Sequence, residues 1–241
     1  MVAASRNRLS GGRERGLSRS GRIAIVLGLF AVVAFFVVWT AMSFVATEPA
    51  TVSFIKGHSP GAPVHLVAQT DGAVGTGAHP TWVSYQVETP QSHKWVHTTL
   101  WQLPANTRID VTIYQFDSGS PLRNQQVGQV YGTDGGTATL NGKTIRLVNS
   151  NAGSGVGHTF SVPSLGINVP LAGVSGNKIC SAAPCLPNQW PHNEVKFSFT
   201  TPGVGQYRWQ CFVPCGLSYL YGNGGPMQTI GYMGGFLKVV D

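Results

Sequence analysis

Charge is scarce in this 241-residue chain: Asp, Glu, Lys and Arg together make up only 10% of it. Glycine (31) and proline (15) are plentiful instead. A charge-poor, turn-rich chain is neither a coiled coil nor a charged disordered segment. No G-x-S-x-G motif occurs, and no Ser/His/acid set has a suggestive spacing, so a hydrolase reading has little support. No long amphipathic helix follows residue 47, and no internal repeat is visible. Many short strands joined by Gly/Pro turns remain, and they predict a β-sandwich or Greek-key barrel.

The net charge of +7 is concentrated at one end. Arg6, Arg8, Arg13, Arg15, Arg19 and Arg22 stand against Glu14 alone in the first 22 residues, whereas the rest of the chain carries ten Lys/Arg and eight Asp/Glu. The basic tail abuts Ile23 to Ala46, an uncharged and mostly apolar run of 24 residues. As a helix that run spans about 36 Å, enough for a hydrocarbon core of about 30 Å. It exceeds the apolar region of a cleaved signal peptide, about 7–15 residues. Topology therefore explains the arginines better than nucleic-acid binding does, and they place the N-terminus in the cytoplasm. The expected organisation is a basic cytoplasmic tail (1–22), a transmembrane helix (23–46), a linker with a first edge strand (47–80) and an extracytoplasmic β-domain (81–241).

Period-2 patterns locate the strands. They cover Trp82 to Val87, Arg108 to Ile113 after a turn at Leu103 to Asn106, the GHTFSVP segment, Asn193 to Thr200, Gln206 to Cys211 and Gly235 to Val240. Residues 115–143 are polar and Gly-rich and predict a long excursion containing a short hairpin. Because strand side chains alternate, His158 and Cys211 each extend an inward-facing row. Cys180 and Cys185, in Cys-Ser-Ala-Ala-Pro-Cys, lack nearby imidazoles, and a loop-closing disulfide is expected there. His93 and His97 have i, i+4 spacing but lie among strands, which argues against a helical metal pair.

Three separated segments, in order, carry a family resemblance. His158-Thr159-Phe160-Ser161-Val162-Pro163-Ser164-Leu165-Gly166-Ile167 is similar to the pattern H-x-[FW]-x-V-P-x-L-G-[IV]. Tyr207-Arg208-Trp209-Gln210-Cys211-Phe212-Val213-Pro214-Cys215-Gly216 is similar to Y-R-x-x-C-x3-C-G. Met233-Gly234-Gly235-Phe236-Leu237-Lys238-Val239 is similar to M-x-G-x-L-x-V. Together they resemble the copper-carrying domain of haem–copper oxidase subunit II over about residues 100–241, with insertions before His158 and around 174–191. The resemblance implies a cupredoxin-like Greek-key β-sandwich behind one transmembrane helix. It also implies a binuclear copper centre that accepts electrons outside the membrane and passes them to the haem-bearing catalytic subunit. Thiolates suit Cu(I), imidazole tolerates Cu(II), and a weak Met sulfur tunes the potential.

The sequence departs from the family where that pattern reads C-x3-C-x3-H-x2-M. Tyr219 stands at the second histidine, Gly222 at the methionine, and no histidine follows His192. Three readings stay open. A modified copper site would use His158, Cys211, Cys215 and Met233 (or Met227), with Tyr219 or the Val213 carbonyl. In the second reading copper is lost, leaving a Cys211–Cys215 disulfide or inert thiols in a structural subunit of the quinol-oxidase type. In the third reading, His192 or His79 completes the site. A stand-alone membrane-anchored copper or redox protein is the competing functional class. Family members served by a basic cytochrome c present an acidic face. With only eight acids after the span, the expected donor is not strongly basic or is membrane-bound.

Overall fold

A computed structural model describes residues 18–46, 49–71, 82–175, 179–180, 185–215 and 225–241. The chain divides into two compact units, Met1–Glu48 and Pro49–Asp241. In the first, helix α1 runs over Arg19–Ala46. Its stretch Arg19–Met42 is long and apolar enough to cross a membrane. Large apolar side chains from Ile23 to Met42 are exposed along it, so the helix has no polar face to present to water.

The second unit is all-β. Its strands are β1 (Val52–Ser53), β2 (Val64–Asp71), β3 (Ser84–Glu88), β4 (Trp95–Val96), β5 (Leu100–Pro104), β6 (Arg108–Gln115), β7 (Ala138–Leu140), β8 (Lys143–Ile145), β9 (Val156–Val162), β10 (Ile167–Ala172), β11 (Asn193–Thr200), β12 (Gly205–Gln210) and β13 (Gly234–Val240). They form a six-stranded sheet, β1-β5-β13-β12-β9-β10, and a seven-stranded sheet, β4-β3-β2-β6-β11-β7-β8. Pairs β1/β5, β5/β13 and β2/β6 are parallel; the other strand pairs are antiparallel. The all-β architecture expected from the sequence, behind one N-terminal apolar helix, is observed as two sheets. Alternation is clean where one face meets water: β6 buries Ile109, Val111, Ile113 and Gln115 and leaves the residues between them more exposed. Between the sheets Trp101, Trp209, Tyr85 and Phe160 pack without exposure above 1%. Trp101 and Trp209 stack at 4.6 Å, and Tyr85 meets Trp209 edge-on at 4.9 Å.

Three features differ from the sequence expectation. Residues 47–80 are more than a linker with an edge strand, because β2 is an inner strand between β3 and β6. Val64, Leu66 and Ala68 supply its buried face, and the Gly/Pro-rich flanks obscured that short alternation. Second, β9 is buried at all seven positions, since the excursion after β6 lies over β10 and closes that side. Tyr131 and Asn168 exchange both backbone hydrogen bonds at 3.0 Å. Gly132 (φ 73°) packs so close that a Cβ there would meet the Gly166 carbonyl at 2.2 Å. Third, β10 itself, INVPLA, is a buried strand despite Pro170; it lies at the sheet edge, where proline is tolerated.

Candidate metal centre

His158, the third residue of β9, points into the core at 4% exposure. Cys211 directly follows β12, and its N–H donates to the Met233 carbonyl (2.8 Å), which ties the cysteine loop to the start of β13. Pro214 stiffens the chain between Cys211 and Cys215. The result is a convergence of three buried donors. His158 Nδ1 lies 3.1 Å from Cys215 Sγ and 3.7 Å from Cys211 Sγ, and the two sulfurs are 3.7 Å apart. Both cysteines are free. They are not joined as a disulfide, which was one of the outcomes left open by the sequence. Among the described residues this is the one His/Cys/Asp/Glu group with metal-holding geometry.

The surroundings orient these donors. His158 Nε2–H donates to Asp117 Oδ2 at 2.7 Å, both side chains being buried. The carboxylate fixes the ring with Nδ1 toward the sulfurs, as the outer partner of a metal-ligating histidine does. Thr159 N–H donates to Cys211 Sγ (3.4 Å), and the Val213 carbonyl lies 3.6 Å from the same sulfur. Tyr85 donates its hydroxyl to the Thr159 carbonyl (3.0 Å), and its ring stands edge-on to His158 at 6.5 Å.

Electrostatics follow from burial and contact. Burial opposes charge on His158, but Asp117 and the Cys211 sulfur outweigh it and lift the imidazole to about 10. Burial pushes the Cys211 thiol up; hydrogen bonds from Cys215 and His158, with the imidazolium charge, bring it well below the usual thiol range. The hydrogen bond to Cys211 and burial raise Cys215. These directions place the negative charge of the thiol pair on Cys211, beside the imidazole, and its proton on Cys215.

The donor set fits a soft or borderline ion. Bonds of about 2.1 Å to nitrogen and 2.3 Å to sulfur at tetrahedral angles separate the donors by about 3.6–3.8 Å. Two of the three observed separations, both 3.7 Å, match, and the third is 3.1 Å. Thiolate–imidazole sites of this kind take Cu(I) or zinc. A depression of about 210 Å³, lined by Asp117, His158, Val213, Pro214 and Cys215, opens beside the centre. Two larger open clefts, about 470 and 460 Å³, share His65 and hold no comparable cluster.

The other residues singled out by sequence are placed as follows. Met233 is fully buried, and its carbonyl takes the Cys211 amide; Met227 is partly buried against the same core. Tyr219 and His79 lie outside the described residues. His192 sits elsewhere, with Nδ1 3.1 Å from the Trp190 carbonyl and its ring against Tyr114 and Phe116. Cys180 and Cys185 are joined as a disulfide that packs on Phe116. Asp117, Thr159 and Tyr85 went unrecognised as parts of the site. Asp117 carried no signal, being 41 residues before its partner in a polar excursion.

No protein-family model and no curated protein matches the chain. Among solved structures it is similar to rusticyanin from Thiobacillus ferrooxidans, with 17% identity over 79% of this chain and 82% of that one and a TM-score of 0.30. It is also similar to a rusticyanin variant (17% identity, 80% and 83% covered, TM-score 0.32) and to reduced rusticyanin (17%, 81% and 84%, TM-score 0.31). Rusticyanin is a copper protein. At TM-scores this low the likeness carries no weight for the site, which stands on its own geometry.

Proposed function

We propose that the chain is a membrane-anchored electron-transfer protein whose β-domain holds copper at His158, Cys211 and Cys215, and that it serves as the subunit II-like component of a haem–copper oxidase. The observation that supports this most is the convergence of a buried Nδ1 and two free sulfurs within 3.1–3.7 Å, with Asp117 holding the opposite ring nitrogen. Copper bound there supplies one-electron transfer, and a donor cage fixed by strands needs little rearrangement between oxidation states. Met233 and the Val213 carbonyl are the further ligands this reading assigns, and Tyr219 takes the place of the family's second histidine. The anchor sets the domain on the outer face of the membrane beside the catalytic subunit. Its electron donor is not strongly basic or is itself membrane-bound.

Metal analysis of the native protein with visible and EPR spectra tests the copper assignment, and co-purification tests the partner. Stoichiometric copper in a complex with a haem-bearing membrane subunit is the expected result. Zinc in place of copper, or no metal with both thiols reduced, would remove the electron-entry role. Copper without a haem-bearing partner would make the chain a stand-alone redox protein.

A further inference from the structure

The cysteine loop is held from a direction that the ligands do not use. Phe212, between the two cysteines, donates its backbone N–H to Thr159 Oγ1 at 2.8 Å. Ser161 Oγ lies 2.9 Å from Thr159 Oγ1 and 2.6 Å from Asn168 Oδ1. Ser161 Oγ is the donor to both oxygens, so its single proton is shared between Thr159 Oγ1 and Asn168 Oδ1, with the shorter contact to Asn168. The Asn168 amide group then donates to the carbonyls of Gln129 (2.6 Å) and Val127 (3.3 Å), on the excursion. Thr159, Ser161 and Asn168 are each at most 1% exposed. These bonds link the Phe212 amide to the excursion's backbone through Thr159, Ser161 and Asn168, with Ser161 as the donor at the middle.

We infer that Asn168 is a positioning residue for the metal centre: through Ser161 and Thr159 it ties the Cys211–Cys215 loop to the 117–155 excursion. Asn168 is suited to this because the excursion grips it four ways, through both backbone hydrogen bonds with Tyr131 and both side-chain bonds to 127 and 129. Thr159 completes the tie at the other end, since its N–H also donates to Cys211 Sγ. Buried hydrogen bonds in series polarise one another, and an interruption anywhere leaves unpaired groups on both sides of the break. The effect on bound metal rests on the copper-centre reading above; the hold on the loop backbone does not.

The test compares amide exchange and metal spectra in the full-length protein in detergent. In Ser161→Ala, which cuts the series at its middle, the Phe212 amide should exchange about tenfold faster, while that of Leu237, in the same sheet, stays unchanged. Asn168→Ala should give the same selective loss although Ser161 is intact. Loaded with Co(II) or Cu(II), both variants should show a displaced thiolate-to-metal absorption band. Thr159→Ser, which keeps the hydroxyl, should retain wild-type exchange and spectrum, whereas the isosteric Thr159→Val should not. That pair alone decides the matter if Ser161→Ala fails to fold. Unchanged Phe212 exchange in folded variants, or equal acceleration of Phe212 and Leu237, would overturn the inference by reducing the series to ordinary core packing. A wild-type protein that takes up no metal but shows the selective Phe212 response would keep the tie and discard the copper reading.

Discussion

Asp117 offers the sharpest test of the centre. Its carboxylate accepts the His158 Nε2 proton at 2.7 Å, with side-chain exposures of 10% and 5%. Asp117→Ala removes the acceptor; Asp117→Asn keeps a weaker, uncharged one. A hydrogen bond to a charged group contributes about 1.5–3 kcal/mol. Loss of the outer partner of a metal-ligating histidine costs about 10–100-fold in affinity, or about 1.4–2.7 kcal/mol. The two ranges agree, so metal affinity should fall near 100-fold in Asp117→Ala and near tenfold in Asp117→Asn. Competition with a chelator of known affinity reads this directly. Imidazole 15N spectra supply a second readout: without Asp117, the Cys211 sulfur alone opposes burial, and His158 should lose its extra proton below a pH of about 10. Wild-type affinity in Asp117→Ala, with the imidazolium still present at pH 8, would refute the assignment of Asp117 as the group that sets the ring.

Three further outcomes are expected. Metal uptake at pH 7 should release protons, chiefly from His158 Nδ1 and Cys215, whose pKa values are raised, rather than from Cys211, whose pKa is lowered; a dye in weak buffer measures this, and release of none would contradict those shifts. Burial lowers the His97 pKa from 6.5, and its Nε2 is buried without a partner, so below about pH 6.5 the unfolded chain binds the extra proton and stability falls as pH falls. His97→Phe, which keeps a ring against Tyr232, should flatten the drop in Tm between pH 7 and pH 5. Gly157→Ala should cost about 1–3 kcal/mol of stability and lower metal content. Its Cβ would meet Gln115 Nε2 at 1.9 Å, and Gln115 is pinned by Thr70 and the Asp117 carbonyl; thermal unfolding and metal analysis check both effects.

Sequence made the three converging donors visible and left their supports hidden, for a physical reason. His158, Cys211 and Cys215 sit in short runs whose alternation and spacing carry the information locally. Asp117 and Asn168 act across 41 and 44 residues of chain, and nothing beside either announces its partner. The strand Arg108 to Ile113 was legible because one side faces water and its pattern alternates. By contrast β10 is buried on both faces, so INVPLA shows no period at all. β2 does alternate, but for only three buried apolar positions between Gly/Pro-rich flanks. The excursion was expected as an insertion with a hairpin, and β7 and β8 form one. Its role as the cover of β10 is a tertiary fact that composition does not encode.

The same β-domain holds one oxidised pair, Cys180–Cys185, and one reduced pair, Cys211 and Cys215. The members of each pair lie only five and four residues apart, so in the unfolded chain an oxidant can close either loop. In the folded protein the second pair is open and enclosed: both sulfurs are buried, 3.7 Å apart, with the His158 ring against them. Protein refolded under oxidising conditions should divide into a fraction with both ligand thiols free and a fraction closed at Cys211–Cys215 that a reductant must reopen before metal can enter.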